Sequence, residues 1–174
     1  LAPYEGVGKL SRSEAVAQSL SGPVARASGY AIDAREFATD VKYQELTSFA
    51  VAIQTGGDVS SRILQLVDEV TLSLAMISEL IEKCADLVAE EVNVLLPKVV
   101  RVPEGTYEHS IETPLGIASW FLVSRNDKTP YRLKLRPASL HTVLALSTVL
   151  AGASRQNFDA IVASMPFIAG DADR

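Results

Sequence analysis

Ile117-Ala118-Ser119-Trp120-Phe121-Leu122-Val123-Ser124, then Arg125-Asn126-Asp127-Lys128-Thr129-Pro130, then Tyr131-Arg132-Leu133-Lys134-Leu135-Arg136-Pro137, has the form of a strand, a turn and a strand. Side chains alternate across a strand, so Arg132, Lys134 and Arg136 share one face and Tyr131, Leu133 and Leu135 the other. The apolar face can enter a core. The opposite face sets three like charges in a row, which repel unless an anionic neighbour meets them. This hairpin therefore predicts a small sheet with one cationic side in need of a counterpart.

Downstream, no formal charge occurs between Arg136 and Arg155. Polar residues including Ser139, His141, Thr142 and Ser147 interrupt the stretch, and its apolar runs fall far short of the ~20 residues needed to cross a bilayer. The pattern predicts a buried helix capped by Ser139 and running to Leu150, then another from Gln156 or Asn157 through Ser164. Upstream, β-branched runs at Leu95 to Val102 and Ser110 to Thr113 are expected to add strands, placing the sheet near 99–136.

The strongest periodicity follows Gly56-Gly57, where Asp58 can cap a helix. Ile63, Val67, Val70, Leu74, Ile77, Ile81, Cys84 and Val88 alternate at intervals of four and three, with Leu66, Leu80 and Leu87 widening the seam. A helix of roughly 30 residues would be about 45 Å long, more than a domain of this size needs. Part of its apolar face is expected to pack on something outside this chain. Near the start, Ser11 and Glu14 have the capping-box form, whereas residues 21–46, with Gly22-Pro23 and Gly29, read as an irregular packed loop. The fold class predicted is α+β, mainly helical: one long helix, shorter helices and a small antiparallel sheet. Residues 1–174 form a single domain, read as a fragment of a longer chain because Leu1 is neither an initiator methionine nor the start of a signal pattern.

Composition narrows the function. A net charge of −5 argues against a general nucleic-acid binder. Charge is uneven: Asp58 to Glu91 holds eight acidic and two basic residues, while Lys98 to Arg136 holds seven basic and four acidic. Cys84 is the sole cysteine, which removes internal disulfides and cysteine-rich metal centres, and the seam position reads as a small buried residue in a reducing compartment. His141, among apolar helix residues, reads as a hydrogen-bonded packing histidine. Gly56-Gly57 lacks a phosphate-binding motif. No complete catalytic constellation and no metal site is predicted.

Three features stand out: Arg26 with small residues between Gly22 and Gly29, Asp58 one helical turn before Arg62 in ion-pairing register, and the tail Gly170-Asp171-Ala172-Asp173-Arg174. Taken in order, Gly22-Pro23, Arg26-Ala27-Ser28-Gly29, Asp33, Arg35, Gly57-Asp58, Arg62, Glu112, Pro114 and Gly116 form one half of a longer pattern. Leu122-Val123-Ser124, Pro130-Tyr131-Arg132, Lys134, Arg136, Ser139, Gly170-Asp171 and Asp173-Arg174 form the other. Together they resemble the C-terminal half of the D subunit of the proton-pumping NADH:quinone oxidoreductase, the 49-kDa component of respiratory complex I.

The resemblance implies a hydrogenase large-subunit-like C-terminal region that helps form the quinone-reduction site and the interface to the iron-sulfur-cluster subunit. The hydrogenase cysteines are replaced at Ile168 and Asp171, so no nickel-iron centre can form. It implies no catalytic residue and no cofactor on this chain. The assembled oxidoreductase would use quinone and NADH, with the iron-sulfur cluster on a neighbouring subunit. Arg26, Arg62, Arg132, Lys134, Arg136, Asp171, Asp173 and Arg174 become the quinone-chamber or interface candidates, with arginines paired to carboxylates such as Asp33, Asp58, Asp171 and Asp173. Implied partners are the C, B (iron-sulfur) and I subunits of the peripheral arm and the H subunit of the membrane arm. The implied location is the cytoplasmic side of the bacterial cell membrane, peripheral and without a span of its own.

The chain departs from the family where Leu115, Ile117 and Pro166 replace charged residues of the pattern. Those losses frame the alternative, an assembly or structural module that keeps the fold without the quinone site.

Overall fold

In the computed structural model, which describes residues 1–85 and 95–173, Ser11 accepts a hydrogen bond from the Glu14 amide, and Glu14 answers at the Ser11 amide, forming the expected capping box. It opens helix α1, Arg12–Ala17. The next segment differs from expectation: Gly22–Ala27 is a helix, α2, with Pro23 in its first turn, where a missing N–H costs nothing. Single 3-10 turns follow at Ala34–Glu36 and Tyr43–Glu45, so only the remainder of 21–46 is irregular.

Helix α3, Val59–Ala85, is about 40 Å long at 1.5 Å per residue. Asp58 caps it as predicted, accepting from the Ser61 amide with one oxygen and from the Gly6 amide with the other. The side it buries is not the apolar seam. Arg62, Gln65 and Met76 face inward, while Val70 and Leu74 are each 60% exposed and Ile81 66%. Cys84 is exposed too, against its reading as a buried residue. Leu87 and Val88 lie outside the described residues.

Strands β1, Gly105–Thr113, β2, Gly116–Ser124, and β3, Arg132–Arg136, form an antiparallel sheet in that order. Thr113 pairs with Gly116 across the β1–β2 turn, Ser119 with Arg136, and Val123 with Arg132. The sheet thus starts later than expected, and Leu95–Val102 contributes no strand; Leu95 is 93% exposed. The apolar face also fails to enter a core. Tyr107, Trp120, Tyr131 and Leu133 all remain exposed, because no element among the described residues covers that side.

Helix α4, Ala138–Leu150, follows β3 directly, with Pro137 at its cap position. Ser139 is not the cap. Its hydroxyl donates to Asp171 Oδ2 and accepts from the Ile168 amide, tying down the C-terminal segment. Helix α5, Phe158–Ala163, and the single turn α6, Ala169–Ala172, complete the chain. The core gathers Leu10, Leu20, Val24, Val59, Ala145, Val149, Ile161 and Met165 from both ends of the sequence. No helix among the described residues is long and apolar enough to cross a membrane.

Candidate functional site

Arg26 is 1% exposed and lies where α2, the Asp33 turn, α3 and the end of β1 converge. Its Nε donates to Glu69 at 2.8 Å, and its Nη1 to Glu112 at 2.8 Å and to the Ile32 carbonyl at 2.9 Å. Asp33 approaches the same nitrogen at 3.3 Å and is itself clasped by Arg35 through Nε and Nη2. Two guanidinium groups thus face three carboxylates inside the protein. Such a cluster persists only when every charge is hydrogen-bonded, because desolvation otherwise exceeds the Coulombic return.

The proton affinities follow from that imbalance. Burial disfavours charge on Arg26, but Glu69 and Glu112 outweigh it and lift its pKa above the usual value. Burial likewise pushes Asp33 upward, yet the hydrogen bonds from Arg35 and the charge of Arg26 hold its carboxyl below the usual range. Glu112 goes the other way. Burial raises it, and the Ala34 amide and Arg26 offset this only in part.

A cavity of about 420 Å³ opens beside the cluster. Arg26, Arg35, Glu69 and Glu112 form its charged wall, and Leu66, Val70, Leu74 and Pro114 its apolar one. The outward seam of α3 therefore supplies most of the apolar lining. An amphipathic ligand, or a closing element with one polar edge, matches such a lining.

Arg62 is also 1% exposed, but it is not paired with Asp58 as its spacing suggested. Its Nε donates to Ser164 Oγ and its Nη1 to the carbonyls of Gly8 and Gly57, bolting both ends of the chain to α3. Its Nη2 has no hydrogen-bond partner among the described residues. Burial accordingly pulls its pKa down to about 10 against the opposing charge of Asp58.

The cationic ladder divides. Arg136 donates from Nε to His141 and from Nη2 to the Ser19 carbonyl, so it is a structural strut that meets no carboxylate among the described residues. Arg132 and Lys134 stay exposed and form no ion pair among the described residues. With Glu108, Ser110, Ser119 and Phe121 they border a second cavity of about 420 Å³ on the cationic face of the sheet. Asp171 is half-buried on Ser139, Asp173 is exposed, and Arg174 lies outside the described residues. Among the described residues the predicted pairings of arginines with Asp58, Asp171 and Asp173 are not formed, since backbone carbonyls and hydroxyls took their places.

Glu69 and Glu112 were not among the site residues predicted from the sequence. Glu112 stood in the motif pattern, whereas nothing in the sequence separates Glu69 from its neighbour Asp68. Only the inward turn of the polar side of α3 brings it to Arg26.

His141 is the hydrogen-bonded packing histidine expected. Arg136 donates to its Nε2, so Nδ1 carries the proton and donates to the Gln18 carbonyl. Burial and the adjacent Arg136 lower its pKa. The unfolded chain therefore binds the extra proton first, and stability should decline as pH falls through the ordinary histidine range near 6.5. Denaturant midpoints at pH 8 and pH 5.5 test this, and His141→Gln should flatten the difference. An unchanged slope in the variant would assign the pH effect elsewhere.

Comparison with known proteins covers nearly the whole chain. A family described as "Respiratory-chain NADH dehydrogenase, 49 Kd subunit" matches residues 2–100 and 89–174. The D 2 subunit of the NADH-quinone oxidoreductase of Salinispora tropica is 45% identical over 177 residues, covering 100% of this chain and 44% of that protein. The C/D subunit of the Bacteroides fragilis NADH-quinone oxidoreductase is 35% identical over 98% of this chain and 31% of its own length. A chain from the structure of the membrane-bound sulfane sulfur reductase, an archaeal respiratory membrane complex, superposes with a TM-score of 0.87 and 28% identity. That likeness covers 98% of this chain and 46% of the other. The chain spans less than half the length of these relatives.

Proposed function

The chain belongs to the 49-kDa subunit family of the respiratory-chain NADH dehydrogenase, and from that premise we propose that it works as the D subunit of an NADH:quinone oxidoreductase, forming part of the wall of the quinone-reduction chamber. The observation that carries this reading is the buried Arg26, Asp33, Glu69 and Glu112 cluster set against an apolar wall around one open cavity. A quinone ring needs apolar surface for its body and positioned charge for its oxygens, and fixed charges act most strongly where water is excluded. In this reading the electrons come from an iron-sulfur cluster on a neighbouring subunit, and NADH is oxidised elsewhere in the assembly. This chain holds no cofactor. It provides shape and fixed electrostatics.

The same reading gives the exposed ladder a role. Arg132 and Lys134, with Glu108 the one carboxylate among the described residues lining their cavity, suit an acidic surface of a neighbouring subunit. The B, C and I subunits of the peripheral arm and the H subunit of the membrane arm are the proposed neighbours, with the assembly docked on the cytoplasmic side of the membrane. The assembly-module alternative is not favoured, because the similarity runs to oxidoreductase subunits over the full chain.

Glu112→Gln in the assembled oxidoreductase tests the reading. It removes one buried charge while keeping the side-chain shape, and NADH-to-quinone turnover should fall by about tenfold to a hundredfold, as mispositioned sites do. NADH oxidation by a water-soluble acceptor acting before the quinone should be unaffected. Quinone turnover at the unsubstituted rate in a fully assembled variant would overturn the proposal.

A further inference from the structure

Strand β3 is the last of its sheet. β2 pairs with one side of it, and among the described residues no strand pairs with the other. An edge strand leaves alternate backbone amides and carbonyls without a ladder partner. Both faces of β3 are unmet as well. Arg132 and Lys134 are exposed on the cationic face with no ion pair among the described residues, while on the opposite face Tyr131 is 60% and Leu133 51% exposed. The register carries each kind of row up to this edge: Glu108, Phe121 and Lys134 stand side by side across the sheet, and so do Tyr107, Leu122 and Leu133. Both rows end at β3.

Three demands therefore coincide along five residues: carboxylates for the cations, apolar cover for Leu133, and backbone partners for the edge. A flat acidic surface meets the first and leaves the other two. A second copy of β3 fails at once, because it would set cation beside cation. Lys134, with Pro130 and Pro137 at either end of the strand, is the kind of device that keeps an edge from pairing with its own like. An extended segment in which acidic and apolar residues alternate meets all three. Its backbone continues the ladder, its carboxylates lie beside Arg132 and Lys134, and the apolar residue between them prolongs the row that ends at Leu133.

We propose that β3 is completed by such a segment, acidic, apolar, acidic in sequence, contributed by a neighbouring subunit and added as a fourth strand of the sheet. The proposal rests on the reading of this chain as an oxidoreductase subunit for the source of the segment, and it gives the acidic counterpart of the ladder a definite form. The cavity at Arg26 plays no part in it.

The test uses the assembled oxidoreductase. A zero-length carbodiimide reagent joins an amine to a carboxylate only where the two touch. Mass spectrometry should then find Lys134 joined to an aspartate or glutamate of another subunit, inside a stretch that alternates acidic and apolar residues. A product with a stretch that lacks the alternation, with a second copy or with this chain itself, or no product at all, overturns the proposal. Leu133→Asp separates a strand from a flat acidic surface, since it leaves both cations in place. Both Leu133→Asp and Lys134→Glu should raise the dissociation constant of the crosslinked subunit about tenfold or more, and loss with Lys134→Glu alone overturns the added strand. The quinone-chamber reading fails separately: unchanged quinone turnover in Glu112→Gln would strike that reading and leave the Lys134 crosslink standing.

Discussion

Arg26→Met should destabilise the chain by about 3–5 kcal/mol, the cost of stripping one partner from a buried ion pair. Methionine replaces most of the side-chain volume, so the loss would be electrostatic, not that of a cavity. It leaves Asp33, Glu69 and Glu112 facing Arg35 alone, with Asp33 and Glu112 almost fully buried. The pH signature separates this from general damage. Glu112 already has a raised pKa, which should rise further without Arg26, and the Asp33 carboxyl, held below the usual range, should lose part of that lowering. A carboxyl whose folded pKa exceeds its unfolded one stabilises at low pH and loses that contribution as pH climbs through the folded value. The gap between variant and wild type should therefore be widest near neutrality and shrink toward acid. Denaturant midpoints across pH 4.5 to 8 would show it, and adding Glu112→Gln should restore part of the loss. A pH-independent loss below about 1 kcal/mol would show that the cluster is not energetically coupled.

Gly22→Ala should be at least as damaging, by a different route. Gly22 has φ +69°, and a Cβ there would run into the Gly116 Cα and lie 2.6 Å from both the Gly116 nitrogen and the Leu115 oxygen. Both obstacles are backbone and cannot swing away. Overpacking of about 1–3 kcal/mol would add to left-handed backbone strain of similar size, enough to unfold a marginally stable domain. That contact is also where the β1–β2 turn docks on α2, assisted by the Ser21 hydroxyl accepting from the Ile117 amide. Forcing it apart would draw Glu112, near the end of β1, away from Arg26. Gly152→Ala is the control: it also has positive φ, at +73°, but nothing lies within 4 Å of its added Cβ. It should lose only about 1 kcal/mol. Equal losses at the two glycines would mean that backbone strain, not the close approach, governs Gly22.

Much of the architecture was legible because it depends on neighbours in the chain. The Ser11–Glu14 box, the Asp58 cap, the start of α3 and the alternation of the β2–β3 hairpin are local patterns, and each appears where its residues predicted. The errors fall where distant segments compete for the same groups. Arg62 sits one turn from Asp58, yet Gly8, Gly57 and Ser164 claim its guanidinium. Ser139 could have capped α4, but Asp171 and the Ile168 amide take its hydroxyl. Glu69 offered no sequence signal separating it from Asp68.

Residue order along the chain was enough to specify the long helix, the antiparallel hairpin, the apolar seam and the family, since periodicity, capping and motif spacing act over a few bonds or survive as a pattern. Which side of α3 is buried, which cations are struts and which are exposed, and how Arg26 meets three carboxylates were set by packing. Those outcomes depend on which distant group reaches a buried charge with good geometry, and a charge removed from water accepts whichever arrangement leaves the fewest of its hydrogen bonds unmade.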